Sequence, residues 1–260
     1  MLFNSIDFAV FLPIVFLIYW ALNRDLKAQN AFIIIAGFVF YGWWDWRFLG
    51  LLIFTSGTDY LVALGLQRLQ DRRQRRWLLS ISLVANLGLL GFFKYYDFFI
   101  TSFHDAFNVF GLPFGLRTLN LVLPVGISFY TFQSLSYTID VYRRQLNATR
   151  SPVTFFAFVS FFPQMLAGPI ERARHMIPQF ERPRTFELSR ARDGVRQMLW
   201  GLFKKVAVAD TCAAQVNATF SDHEHLAWTT LLIGAVFFAF QIYGDFSGYS
   251  DIAIGCARLF

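Results

Sequence analysis

The sequence predicts an all-α, polytopic integral membrane protein with re-entrant or interfacial helices. Three observations carry that class. Charged residues make up only 15% of the 260 positions and hydrophobic residues 56%, against about 25% charged in soluble domains. Phenylalanine alone occurs 33 times, more large apolar surface than one core of this length can hide from water. The apolar residues also cluster in long runs, several of them near the ~20 residues that a spanning helix needs.

The runs follow in order. The first covers residues 6–22, and it reads as a membrane helix rather than a cleavable signal. No basic region precedes it and no small-residue cleavage site follows it. Pro13 should kink it. The next three are 31–44, 48–66 and 77–93, with Trp46 and Trp77 near their ends as aromatic-belt residues. An aromatic stretch then runs from Tyr95 to Leu112. Further runs cover 119–142, 153–167, 195–209 and 228–243, and a last one leads from Ser247 to Phe260. Cys212 and Cys256 lack metal or redox spacing and read as small hydrophobic residues.

Charge orients the chain. The net charge is +6, but the basic residues lie between apolar runs without aromatic interleaving on a polar face, so nucleic acid is not an expected partner. Membrane lipid is. The cluster Arg68, Arg72, Arg73, Arg75 and Arg76 is the strongest and is expected in the cytoplasm. Counting back puts Arg24 and Lys27 inside too, and counting forward does the same for Arg143 and Arg144. A full crossing by 153–167 would then carry seven arginines, from Arg172 to Arg196, outside. That run is short and broken by Pro163 and by Gly168-Pro169, so it is expected to dip into the membrane and return. Run 195–209, ending near Lys204 and Lys205, reads as interfacial or re-entrant. Broken backbone at membrane depth is tolerated only inside protein or beside a cavity, so a cavity is expected.

Polar residues within apolar runs are the candidate site, because an aspartate at mid-membrane costs about 2.5–3.5 kcal/mol on insertion scales. Residues 241–251 are the richest in them. Read as one helix, Gln241, Asp245 and Tyr249 share a face, as do Tyr243, Ser247 and Asp251. The other reading ends one helix at Gly244 and caps a second with Asp245 or Ser247. Residues 123–133 form a second stretch. There Pro124 and Gly126 suggest a break before a helix, and Ser128 and Gln133 either line a cavity or serve as helix-packing residues. In the third, residues 162–172, Arg172 follows the break. With Lys204 and Lys205 it could hold the phosphates of an acyl donor, or simply anchor the chain by the positive-inside rule. His104, His175, His223 and His225 lie outside the apolar runs, and neither a metal site nor a soluble-enzyme motif is expected.

Several motifs occur together in a fixed order. They are Tyr41-Gly42-Trp43-Trp44-Asp45, Phe93-Lys94-Tyr95-Tyr96, residues 123–133, Ala167-Gly168-Pro169-Ile170, Gly201-Leu202-Phe203-Lys204-Lys205 and Asp245-Phe246-Ser247-Gly248-Tyr249-Ser250-Asp251. Together they resemble the membrane-bound O-acyltransferase family, in particular the alginate O-acetylases. The resemblance implies a single membrane domain, 1–260, in a bacterial inner membrane with several passes. It implies transfer of an acyl group, with acetyl-CoA as donor and no bound cofactor. The acceptor would be the hydroxyls of an exported polysaccharide such as alginate, or a periplasmic acetyl-transfer protein. The family's catalytic histidine follows the Gly-Tyr-Ser-Asp stretch by some tens of residues, beyond Phe260. No catalytic residue is therefore assigned, and the chain is expected to be the N-terminal portion of a longer protein. The rival readings are a transporter without acyl chemistry and an inactive scaffold.

Overall fold

The computed structural model describes residues 1–109, 118–165, 171–221 and 223–260. It is 81% helical, with no strand among the described residues. Three helical stretches, Leu26–Arg68, Arg72–Val109 and Trp228–Ala257, are long and apolar enough to cross a membrane. The all-α membrane class read from composition is thus observed. The described residues form two compact units, one of residues 1–44, 160–165 and 182–260, the other of 45–109, 118–159 and 171–181.

The first unit opens with α1 (Ile6–Ala21), capped by the Ser5 hydroxyl, which accepts from Phe8 N. Pro13 sits inside α1 without ending it. Helix α2 (Leu26–Asp45) starts earlier than its apolar run, because Gln29 and Asn30 are buried rather than left in a loop. Gln29 donates to Tyr19 O (3.2 Å), and Asn30 Oδ1 accepts from Arg184 (2.6 Å). Arg184 also donates to the Tyr19 hydroxyl (2.8 Å), which itself donates to Phe260 O (2.9 Å). Phe3, Phe8, Phe40 and Phe162 pack with Ile252, Ala253 and Cys256 in a buried cluster.

The rest of this unit is a long helical run against one unbroken helix. Helix α9 (Leu188–Phe203) passes into a π-helical segment (Lys204–Ala209) and then into α10 (Asp210–Ser221). All three pack on α11 (Trp228–Ala257). Run 195–209 is therefore part of a longer helix, not a short one. The sequence expectation stopped at its flanking charges, yet Arg190 and Arg196 pair on the exposed face with Glu187 (2.7 Å) and Asp193 (3.6 Å). Glycine makes the crossing close. A Cβ on Gly201 would lie 2.6 Å from Gly248 O and 2.8 Å from Ile252 N, and one on Gly194 would lie 2.5 Å from Gly255 O. Further along, Gly244 meets Ala209. Backbones approach this closely in membrane proteins only where side chains are minimal.

The second unit contains α3 (Leu49–Arg68), α4 (Arg72–Val109), α5 (Ile127–Tyr142), α6 (Pro152–Val159) and α8 (Ala173–Phe180). Extended backbone at Asp45, whose carboxylate accepts from Arg47 N (2.9 Å), separates α2 from α3. Helix α4 has 38 residues, about 57 Å at 1.5 Å per residue. It joins run 77–93 to the aromatic stretch that follows, since Lys94 and Asp97 do not interrupt it. Asp97 instead accepts from Leu119 N (2.8 Å) and Leu121 N (3.0 Å). Residues 118–126 are not helical, so the first third of run 119–142 is non-helical chain. Its helix begins only after Gly126, at φ 75°.

Within this unit Arg75 is buried while Arg72, Arg73 and Arg76 are exposed. Its guanidinium donates to Leu66 O and Leu69 O at the end of α3, and to Val141 O (3.3 Å) and Tyr142 O (2.7 Å) at the end of α5. One cation thus satisfies the orphan carbonyls of two helix C-termini, where the helix dipole favours positive charge. In run 153–167, α6 has 8 residues and α7 (Phe162–Met165) has 4. Neither could cross a bilayer alone. The Gly168-Pro169 break lies outside the described residues.

Two outcomes are expected in thermal unfolding of the protein in detergent. Gly201→Ala destabilises by at least the ~1–3 kcal/mol typical of overpacking, whereas Gly50→Ala, with open space around it, is neutral or slightly stabilising. Arg75→Ala removes a charged donor from buried carbonyls and costs about 1.5–3 kcal/mol or more. An Arg75→Ala protein as stable as the parent would show that water caps those helix ends equally well.

Candidate functional site

Helix α11 runs through Gly244 without a break. The capping alternative for residues 244–247 is therefore corrected. The close packing of Gly244 and Gly248 against α9 and the π segment explains both glycines, and neither ends a helix. As a consequence Asp245, Ser247 and Asp251 are presented from successive turns of one helix.

Two adjacent lysines meet them. Lys204 Nζ donates to Asp251 Oδ2 and to Ser247 Oγ (2.5 Å). The other oxygen of Asp251 accepts from Gln197 Nε2 (2.9 Å). Lys205 Nζ donates to Asp245 Oδ1 (2.6 Å) and to Asp210 Oδ1 (2.7 Å), and lies 5.7 Å from the centre of the Tyr249 ring. The Tyr249 hydroxyl donates to Asn4 Oδ1 (3.3 Å). Consecutive residues of an ordinary α-helix point about 100° apart. The π segment that begins at Lys204 loosens that geometry and sets Asp210, five residues after Lys205, on the same side as that lysine. π-turns are frequent at functional sites.

The cluster holds three carboxylates and two ammonium groups. Its lysines are largely buried, with side chains 11% and 14% exposed, while its carboxylates range from 22% exposed at Asp251 to 45% at Asp210. Two further polar atoms, Gln241 Oε1 and Ser250 Oγ, are buried without a hydrogen-bond partner. The arrangement is acidic, hydroxyl-bearing and held rigid by ion pairs.

The other candidates are placed as follows. Tyr243 is 63% exposed and does not join Ser247 and Asp251, although all three share a helical face by count. Eight residues exceed two turns, so the face drifts and Tyr243 stays outside the lysine cluster. Ser128 and Gln133 belong to the second unit. Gln133 is buried and donates to Phe158 O (3.0 Å), a packing bond, and Ser128 is half-buried. Arg172 is exposed at the start of α8, with no ion pair among the described residues. His175 lies beside Arg174 (3.3 Å), and the His223 ring lies 3.1 Å from Phe220 O. Among the described residues no three metal-ligating side chains converge. The sequence reading missed Asp210 and Gln197. Gln197, seven residues before Lys204, lies on the same helix face, a signal that spacing could have given. Asp210 could be found only by knowing of the π-turn.

Comparison with characterised sequences decides the relationship. Over 98% of its length the chain is 40% identical to the probable alginate O-acetylase of Pseudomonas syringae pv. tomato, covering 49% of that protein. It is 38% identical, over the same share, to the probable alginate O-acetylase of Pseudomonas aeruginosa, covering 48% of it. The chain is a homologue of the alginate O-acetylases. A peptidoglycan O-acetyltransferase of Helicobacter pylori is 34% identical across the whole chain, which covers 54% of it. The chain therefore spans about half the length of the curated relatives it matches. No family model matches. The resemblance carried by the ordered motifs is thus shown, and it extends over nearly all of the chain.

A double-mutant cycle tests the cluster. Lys204→Met and Asp251→Asn each strand a buried partner and destabilise by about 3–5 kcal/mol. The double variant recovers part of the loss, with a coupling of about 0.5–3 kcal/mol. Strict additivity in thermal unfolding would mean that the pair is not coupled in the membrane.

Proposed function

We propose that this chain is part of a membrane O-acetyltransferase acting on the hydroxyls of an exported polysaccharide. The observation that carries the reading is the 38–40% identity to probable alginate O-acetylases across 98% of the chain. Alginate is the acceptor that most of the relatives' names support, and peptidoglycan is the rival acceptor from the Helicobacter pylori relative. In the reaction a thioester donor, acetyl-CoA, gives up its acetyl group. The acceptor hydroxyl oxygen forms the new ester bond, and its proton leaves with the thiol. A periplasmic transfer protein could stand between donor and polysaccharide, and the inner membrane, crossed several times, is the setting such a route requires.

Within this reading the α9–α11 cluster serves as a fixed polar wall. Asp245, Ser247 and Asp251 offer acceptors to hydroxyl groups, with the two lysines holding the carboxylates in place. A surplus of carboxylate suits sugar hydroxyls better than the phosphates of a donor, so Lys204 and Lys205 act here as positioning residues. Arg172, exposed and without an ion pair among the described residues, is the better candidate for donor phosphate. None of these residues is assigned as the general base.

The test is complementation. The full-length gene is expressed in an alginate-producing strain lacking its own O-acetylase, and the acetyl content of the polymer is measured. The parent restores acetylation. Arg172→Ala lowers it at least tenfold while protein abundance in the membrane is unchanged, and Asp251→Asn lowers it at least tenfold per unit of membrane-inserted protein. Acetylation of peptidoglycan but not alginate would move the acceptor assignment. Acetylation of neither, by abundant membrane-inserted protein, would overturn the reading.

A further inference from the structure

A second polar centre lies in the other unit, at Asp59. This residue sits midway along α3, is wholly buried, and belongs to one of the stretches that can cross a membrane. Its two carboxyl oxygens have opposite surroundings. Oδ1 accepts from Ser82 Oγ and from Asn86 Nδ2 (2.9 Å), both on α4. Oδ2 is buried and receives no donor. Beside the carboxyl stand the hydroxyls of Ser134 and Thr138 on α5. Each also has a backbone acceptor within reach, Thr131 O for Ser134 Oγ (3.2 Å) and Ser134 O for Thr138 Oγ1 (3.5 Å). With their hydrogens on those carbonyls, the two hydroxyls turn lone pairs toward Asp59.

No cation balances the group. Among the described residues Asp59 makes no ion pair within 4.0 Å. On α4 the nearest cations in sequence are Arg76 and Arg75, about two turns before Ser82, and Lys94, about two turns after Asn86; Arg76 and Lys94 are exposed, and the Arg75 guanidinium is bound to the carbonyls of α3 and α5. On α5 the titratable groups are Tyr130, Tyr137, Asp140 and Tyr142, none of which carries positive charge. On α3 itself Tyr60 donates its hydroxyl to Arg150 O (2.9 Å). An unpaired carboxylate in such surroundings is strongly disfavoured. A buried carboxyl oxygen that receives no donor lacks one thing, which is a hydrogen of its own.

We propose that Asp59 is an intramembrane proton-binding site, held as a neutral carboxylic acid with its proton on Oδ2 and shared with the Ser134 and Thr138 oxygens. The asymmetry of the two oxygens matches the two ends of a carboxylic acid, a carbonyl that accepts twice and a hydroxyl that donates once. A sodium or potassium ion would fill the same gap in charge. The site joins α3, α4 and α5 through one exchangeable hydrogen, and it is independent of the acetyl-transfer reading.

Infrared difference spectroscopy of the full chain in detergent, exchanged between H2O and D2O, tests it. A protonated-carboxyl C=O band is expected in the parent and in Asp140→Asn, which removes the other buried carboxyl of the unit. It is expected to be absent in Asp59→Asn, whose amide can replace both ends of the acid. Asp59→Glu shifts the band without abolishing it and serves if the amide variant does not fold. Thermal unfolding is expected to be indifferent to the choice of sodium, potassium or choline chloride. No protonated-carboxyl band in the parent, or its persistence in Asp59→Asn, would overturn the proposal. So would stabilisation by sodium or potassium that Asp59→Asn abolishes.

Discussion

The close approach of two backbones governs the first unit. Where Gly201 meets Gly248 and Gly194 meets Gly255, there is no room for a β-carbon. Helices that touch at this distance can exchange polar side chains across very short gaps, and the lysine pair uses that freedom. Lys204 and Lys205 could not reach Asp251 and Asp245 over a conventional leucine-filled crossing without leaving uncompensated charge. The glycines create the distance, and the ion pairs then make that distance costly to change. Packing and electrostatics each depend on the other here. Loss of either would release the aspartates from the positions in which they could meet a substrate.

The second unit handles buried polarity differently. Arg75 carries its charge into the interior, yet it is matched to partial charges, the carbonyls that close α3 and α5. Asp59 has no such counterpart and is matched to hydroxyl and amide groups. The two residues lie on neighbouring helices and are not paired with one another. Both solutions avoid bare charge in an apolar setting. The first fixes helix ends, and the second fixes the middle of a helix layer.

Much of this was readable from the residues. Composition alone indicated a helical membrane protein, and the polar residues at 245, 247 and 251 stood out because aspartate is expensive there. Pro124 and Gly126 marked the start of α5 correctly. Boundaries were harder wherever charge and helix coexist. Lys94 and Asp97 looked like a stop but lie within α4, and Gly244 looked like a helix end but is a contact point. Tyr243 stays outside the lysine cluster because counting by fours overstates how long a face persists. Asp59 was passed over entirely: inside an apolar run it is a single letter, and its partners Ser82, Asn86, Ser134 and Thr138 come from two other helices. Such a centre exists only once the helices are packed.

The π segment also affects spacing. Gly194 and Gly201 touch α11 seven residues apart, and the next small residue of this seam, Ala209 against Gly244, comes after eight. An undistorted helix continuing past Phe203 would carry its small residues progressively around the cylinder and off the partner. The wider turns act like a one-residue insertion that resets the phase, so one continuous helical run stays in step with an unbroken neighbour along its length. The same local loosening that aims two lysines therefore keeps the helix pair in register, and evolution could not straighten one without dephasing the other.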